Sequence, residues 1–213
     1  MRFAEAAAEP TVDPLADAER PGAERVLARA FRDSPLNLAV IGPDPERRLR
    51  ANLHGARALL PVALAHGRVL AARAGGAPRG VLVATPPFAW PLPPPPLLAS
   101  LQRVLGQGLR VARRWGLVFE VLARIHPREP HWYLSTLGVE PDAQGRGLGS
   151  ALLARWLAEV DADGLPAWLE TDREANLGFY RRSGFEVERR TEALAIPVWC
   201  MRRPAIRPSG DRR

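Results

Sequence analysis

Between Gln144 and Ser150 the chain reads QGRGLGS, three glycines and an arginine in seven residues, and the helix-forming run ALLARWLAEV follows at once. The strand-like run HWYLSTLGV precedes it. A strand, a glycine loop and a helix start place free backbone N–H groups at the positive end of a helix dipole, which is the geometry of a phosphate site. Glycine lets the backbone approach an anion closely, and Arg146 adds charge. A Walker loop needs a lysine, and this chain has none, because all 30 basic residues are arginine. The dinucleotide fingerprint G-x-G-x-x-G belongs after the first strand, with an acid about 20 residues further on. Gly145, Gly147 and Gly149 are spaced differently and fall late in the chain. A glycine-rich turn that holds no ligand is the alternative.

Two further side-chain sets invite chemistry. Cys200 and His131 suggest a thiol–imidazole nucleophile, but a lone cysteine on a strand more often serves as a small buried hydrophobe. The four histidines (His54, His66, His126, His131) have no metal-ligand spacing, so no metal is expected.

The elements that must position these residues alternate along the chain. Residues 1–20 are rich in Ala, Glu and Pro and form a loose arm, with room for one short strand. A helix is expected over Pro21–Arg32, then a loop, DSPLNLAVIGPDP, broken by three prolines. Asp44 caps a second helix from Glu46 towards Leu60, with Pro45 at its first position. RVLAARA and RGVLVATP, split by GGAP, read as a hairpin. PPFAWPLPPPPLL holds seven prolines and is a stiff crossing loop, neither helix nor central strand. Leu97, Leu101, Val104, Leu105, Ala112 and Trp115, then Val118, Val121, Leu122 and Ile125, recur at helical spacing and mark a helical insertion, residues 97–126, ended by Pro127. HWYLSTLGV has few charges and is expected to be a central strand buried on both faces. The helix after the glycine loop runs to about Ala162, with Leu148, Leu152, Trp156 and Val160 at four-residue steps. PAWLET is a strand, 176–183 a short helix closed by Gly184, and FEVERR and PVWCMRR are strands. The tail 205–213 is expected to fray. This order specifies an α/β or α+β fold with helices on both faces of one sheet.

Composition narrows the class. At 213 residues with 46% hydrophobic content, one domain with an insertion is expected. The net charge of +7 comes from scattered arginines and a terminal cluster, which argues for a basic surface suited to a small anionic ligand rather than nucleic acid. A single cysteine excludes a disulfide framework and points to a reducing cytoplasm. No apolar run approaches the roughly 20 residues of a membrane span, and MRFAEAAAEPTVDP is no signal peptide, so neither a membrane nor export is expected. The Ala, Gly, Pro and Arg load points to a GC-rich bacterial genome.

GVEPDAQGRGLGSALL resembles motif A of the GNAT acyltransferase superfamily, whose core pattern [QR]-x-x-G-x-[GA] is filled by Gln144, Gly147 and Gly149. LETDREANLGFYRRSGFEV matches a second family segment, with its Asn, Phe-Tyr and Gly-Phe in the usual order. HPREPHWYL, PAWLET and the terminal WCMRRP extend the likeness towards the puromycin N-acetyltransferase branch, sharply over residues 126–204 and loosely before Thr85. The antibiotic-modifying relatives carry a cleft aromatic near the end of the first helix, and the aligned residue here is Ser34.

The resemblance implies a twisted, largely antiparallel sheet in a single domain, 21–204, and acetyl-CoA as donor. It implies that Leu137, Gly138 and Val139 pair with the pantetheine amides like an added strand. It implies that Gln144, Gly145, Arg146, Gly147, Leu148, Gly149 and Ser150 cradle the pyrophosphate. Tyr180 matches the general acid, and Asn176 orients the cofactor or caps its helix. Glu170 matches a carboxylate that acts as base through water in some relatives. Other relatives place the base on the preceding strand, where this chain offers Tyr133. The implied activity is transfer of acetyl to a primary amine of a small molecule by a monomer or homodimer. A non-catalytic CoA-binding sensor and a protein N-terminal acetyltransferase are the competing functions.

Overall fold

The computed structural model describes residues 11–206. Seven strands form one sheet in the order β1-β2-β3-β4-β5-β7-β6. In chain order the elements are β1 (Thr11–Pro14), α1 (Arg20–Ala30), α2 (Pro35–Ile41), α3 (Pro45–His66), β2 (Arg68–Ala74), β3 (Ala77–Thr85), α4 (Leu97–Gln107), α5 (Leu109–Ile125), β4 (Trp132–Val139), α6 (Leu148–Asp163), β5 (Ala167–Thr171), α7 (Leu177–Arg181), β6 (Glu186–Ala193) and β7 (Ile196–Arg203). Only β4 and β5 run parallel. The expected largely antiparallel sheet with helices on both faces is what forms.

Side-chain alternation divides the strands between two layers. Leu70, Leu82, Leu134, Leu169 and Met201 meet α6 through Leu152 and Trp156. Val69, Ala71, Val81 and Val83 on the opposite face meet α1 and α3. A third cluster joins α2 and α5 to the β6–β7 hairpin through Val40, Val111, Val118 and Val198.

Several sequence expectations need correction. The arm is not loose throughout: Thr11–Pro14 pairs with β2, and a one-turn 3-10 helix spans Asp17–Glu19, while residues 1–10 lie outside the described residues. The segment read as a proline-broken loop contains α2, because Pro35 sits at its first position and Ser34 caps it by accepting from the Asn37 amide at 3.4 Å. The second helix does not stop near Leu60. It runs through Pro61 to His66, and buried Val62 and Ala63 anchor its last turn. An interior proline costs about 3 kcal/mol, which packing on the sheet offsets. The insertion is two helices parted at Gly108. Its face of Leu97, Leu101 and Leu105 is exposed. Most of the 205–213 tail also lies outside the described residues.

The feature that positions the site is a gap in the sheet. β4 pairs with β5 only over Trp132–Leu134 against Ala167–Leu169, and then continues five residues to Val139 along β3 alone. The register of β3 and β4 shifts at Val83/Ala84, leaving Ser135 as the extra residue, and its hydroxyl donates to the Val83 carbonyl at 3.1 Å. A bulge of this kind bends the strand carrying it. Beyond Leu134 the edge of β4 facing β5 is therefore free to pair with something else. That is also why Ser135, Thr136, Leu137 and Val139 are half-buried rather than sealed on both faces.

Candidate active site

The glycine loop closes the wide end of this gap. Gly145 and Gly147 adopt φ of 73° and 84°, conformations that favour glycine, and a Cβ on either would point into open space. Gly147 is the N-cap of α6, and no side chain caps that helix. The first N–H groups of α6 consequently have no intrahelical partner and face outward with the positive end of the dipole. Arg146 is exposed and makes no ion pair among the described residues. Gln144 turns its amide back to donate to the Val139 carbonyl at 3.1 Å, tying the loop to the end of β4. Behind the loop, buried Glu140 takes both Nε and Nη2 of Arg29 on α1, and Arg79 pairs with Asp142. The loop is thus held rigidly while its amides stay bare.

The remaining expected residues divide by role. Leu148 is buried core, while Gly149 and Ser150 complete the first turn of α6. Gly138 has a packing reason of its own: a Cβ there would lie 3.0 Å from the Ala30 Cβ and 3.1 Å from Leu27, so glycine lets α1 lie directly on β4. Leu137 and Val139 pack against the α6-side core and carry the free backbone edge. Asn176 does not cap α7 through its side chain; its Nδ2 donates to the Thr171 hydroxyl at 3.2 Å.

Tyr180, on α7, is brought to the loop through Phe179. The two rings stand 5.0 Å apart, and Phe179 approaches within 3.6 Å of where a Gly149 Cβ would be. The Tyr180 ring is buried against Phe185, and its hydroxyl makes no hydrogen bond to a described residue. Burial, with a smaller contribution from the Asp172 charge, pushes its pKa well above the phenol range. It is fully protonated at neutral pH. Its proton is also held more tightly than that of an ordinary phenol.

Glu170 sits on the other face of the sheet, since its neighbour Leu169 belongs to the Tyr180 core and alternate residues point opposite ways. Tyr180 and Glu170 do not touch; they flank the β4–β5 gap from its two sides. Trp168, two residues before Glu170 on the same face, donates its indole N–H to Glu170 Oε1 at 2.5 Å. The Tyr133 hydroxyl faces the same carboxylate from β4. The two positions considered for a base, Glu170 and the residue on the preceding strand, are therefore one site. Burial raises the Glu170 pKa, and the Trp168 and Tyr133 donors oppose that rise. Sequence reasoning missed Trp168, although a spacing of two on a strand places it beside Glu170.

Next to Tyr133 lies a second cluster. His126 stacks on Trp90 at 3.6 Å, meets Tyr133 edge-on at 4.9 Å, and bonds through Nε2 to His131 Nε2 at 3.0 Å. Burial and His131 depress the His126 pKa to about 4. His131 is thus engaged with His126 rather than with a thiol. Cys200 is fully buried opposite Glu170, its pKa pushed up to about 12 by burial and that carboxylate. A neutral, sealed thiol is no nucleophile. Among the described residues no group of three or more His, Cys, Asp or Glu could hold a metal ion.

Comparison with known proteins bears on this geometry. A family model described as Acetyltransferase (GNAT) family matches residues 45–185. A mycothiol acetyltransferase of Streptomyces avermitilis is 38% identical over 65 residues, covering 29% of this chain and 21% of that protein. One from Clavibacter sepedonicus is 48% identical over 52 residues, covering 23% and 17%. These matches span about a fifth of the length of those relatives. A Corynebacterium glutamicum crystal structure, of a histone acetyltransferase HPA2 and related acetyltransferase, superposes with a TM-score of 0.69 at 28% identity, covering 94% of this chain and 99% of that one. The PaiA N-acetyltransferase of Thermoplasma acidophilum, solved with coenzyme A, shares the fold at a TM-score of 0.58 and 14% identity, covering 92% and 99%.

Proposed function

Since the chain belongs to the acetyltransferase (GNAT) family, we propose that it moves the acetyl group of acetyl-CoA to a primary amine of a small molecule, by direct attack while both are bound. One observation carries this reading: a bulged central strand with a free edge, ending in an uncapped helix start whose glycines leave open space in front of bare amides. A diphosphate fits the cradle between Gln144 and Ser150, and an amide-bearing arm fits the free edge from Leu137 to Val139. Acetyl-CoA supplies the activated thioester when bound.

The chain's own groups do the rest. Glu170, aimed by Trp168 and Tyr133, takes the proton from the incoming ammonium or amine, directly or through one water. Its raised pKa makes it a stronger base than an ordinary carboxylate. Tyr180 holds a proton on its unpartnered hydroxyl for the departing thiolate. Binding of a polar ligand beside that hydroxyl supplies the hydrogen-bond partner it lacks, which reduces the cost of giving the proton up.

Within the family we place the chain near the puromycin N-acetyltransferases, on the segments between His126 and Pro204. The curated relatives are mycothiol acetyltransferases, so the acceptor is framed by class, a small molecule with a primary amine, and not as puromycin. Ser34, aligned with the cleft aromatic of the antibiotic-modifying relatives, is a buried helix cap here and offers no ring to a nucleoside. The test is a screen of primary amines with acetyl-CoA, read by thiol release and by a mass gain of one acetyl group on the acceptor. The reading predicts amine-dependent release and an acetylated product. Coenzyme A binding without turnover on any amine would favour a sensor instead.

A further inference from the structure

The insertion turns a hydrophobic face outward. Leu97, Leu98, Leu101, Leu105 and Leu109 are 87%, 66%, 52%, 74% and 76% exposed. The same insertion, residues 97–126, carries five arginines and one glutamate, Glu120, which pairs with Arg124. Arg103, Arg110, Arg113 and Arg114 make no ion pair or side-chain hydrogen bond among the described residues. The Nε atoms of Arg103 and Arg114 are buried without a partner. Each lines a cavity that it shares with a leucine. Arg103, Arg57 and Leu105 border one of about 520 Å³ between α3 and α4. Arg110, Arg113, Arg114, Leu117 and Leu194 border another of about 310 Å³. Three of these arginines lie in the first turns of α5, where the helix dipole already disfavours cations.

We propose that the α4–α5 insertion docks this chain on the surface of an anionic phospholipid bilayer. The leucine stripe enters the acyl boundary, and the exposed guanidinium groups of Arg110 and Arg113 take the headgroup phosphates. Charge decides between occupants. A second copy, paired about a two-fold axis, would set the unpaired arginines of one insertion against those of its mate. Nucleic acid would satisfy the arginines and leave the leucines in water. An anionic bilayer satisfies both. No described helix is long and apolar enough to cross a membrane, so the contact is with the surface.

The test is flotation of the full chain with vesicles of phosphatidylglycerol and phosphatidylcholine, against vesicles of phosphatidylcholine alone. Flotation with the anionic vesicles is expected to be at least about tenfold greater and to weaken with salt. L101S/L105S, which leaves the net charge unchanged, is expected to lose about tenfold of that binding. R110Q/R113Q is expected to bind more weakly and with a shallower salt dependence. Both variants should keep the wild-type thermal transition, because the substituted groups are not packed in the core. Three results would each overturn the proposal: no flotation with anionic vesicles; equal flotation of wild type and L101S/L105S, which would reduce the effect to net charge; or a wild-type dimer in velocity sedimentation that L101S/L105S dissociates, which would assign the stripe to a second copy.

Discussion

Helices α6 and α4 repeat large apolar residues at the same four-residue step, yet only one of them is covered. Leu148, Leu152, Trp156 and Val160 of α6 are between 0% and 4% exposed beneath the sheet, whereas Leu97, Leu101 and Leu105 of α4 face water. The difference follows from what each helix is attached to. α6 leaves the end of β4 through a loop pinned at Glu140 and Gln144, and has no choice but to lie back on the strands. α4 enters from a proline-rich crossing and packs chiefly on α3 through its other side, with Gln107 donating to the Ala51 carbonyl at 2.7 Å. The buried helix holds a binding loop still. The uncovered one is available for a partner.

Substitutions can break or sharpen that contrast. Trp156→Ala should cost about 3–5 kcal/mol of unfolding free energy in urea titration, as expected for a large buried aromatic, while Leu101→Ala should cost less than about 0.5 kcal/mol. Equal costs would mean that α4 is packed and the contrast false. Within the covered region the two faces of the sheet should separate by function. Tyr180→Phe should lower kcat about 10²-fold with little change in coenzyme A affinity, because the hydroxyl acts on the leaving group and not on the diphosphate. Unchanged turnover would remove Tyr180 from the chemistry. Trp168→Phe should act more subtly. Glu170 works as a base when deprotonated, and burial already places its pKa above the ordinary range. Removing the indole donor, which lowers that pKa, should move the acid limb of the kcat/KM profile further up. A limb that stays in place would mean that Trp168 is only packing.

Much of the covered region was legible because its signals are local. Gly145 and Gly147 at positive φ, the helix start at Leu148 and the four-residue apolar step are properties of neighbouring residues. The gap between β4 and β5 was reachable only through family resemblance, since it depends on a bulge at Ser135 that no local pattern announces. Pro35 and Pro61 misled in opposite ways. One proline starts a helix and the other is carried inside one, because tertiary packing outweighs its local cost. The leucines of α4 mark a helix correctly, yet their outward orientation was not legible. Periodicity states that a face is apolar but not what covers it.

The central claim is that the bare amides between Gln144 and Ser150 hold the diphosphate of the donor. Calorimetric titration of coenzyme A into the wild-type chain and into Gly147→Asp tests it most directly. The variant puts a carboxylate where a phosphate should sit and demands φ of 84° from a residue with a Cβ. Saturable binding by the wild type, weakened at least about 100-fold in a variant that still melts cooperatively, is the predicted result. Wild-type affinity in Gly147→Asp would contradict it.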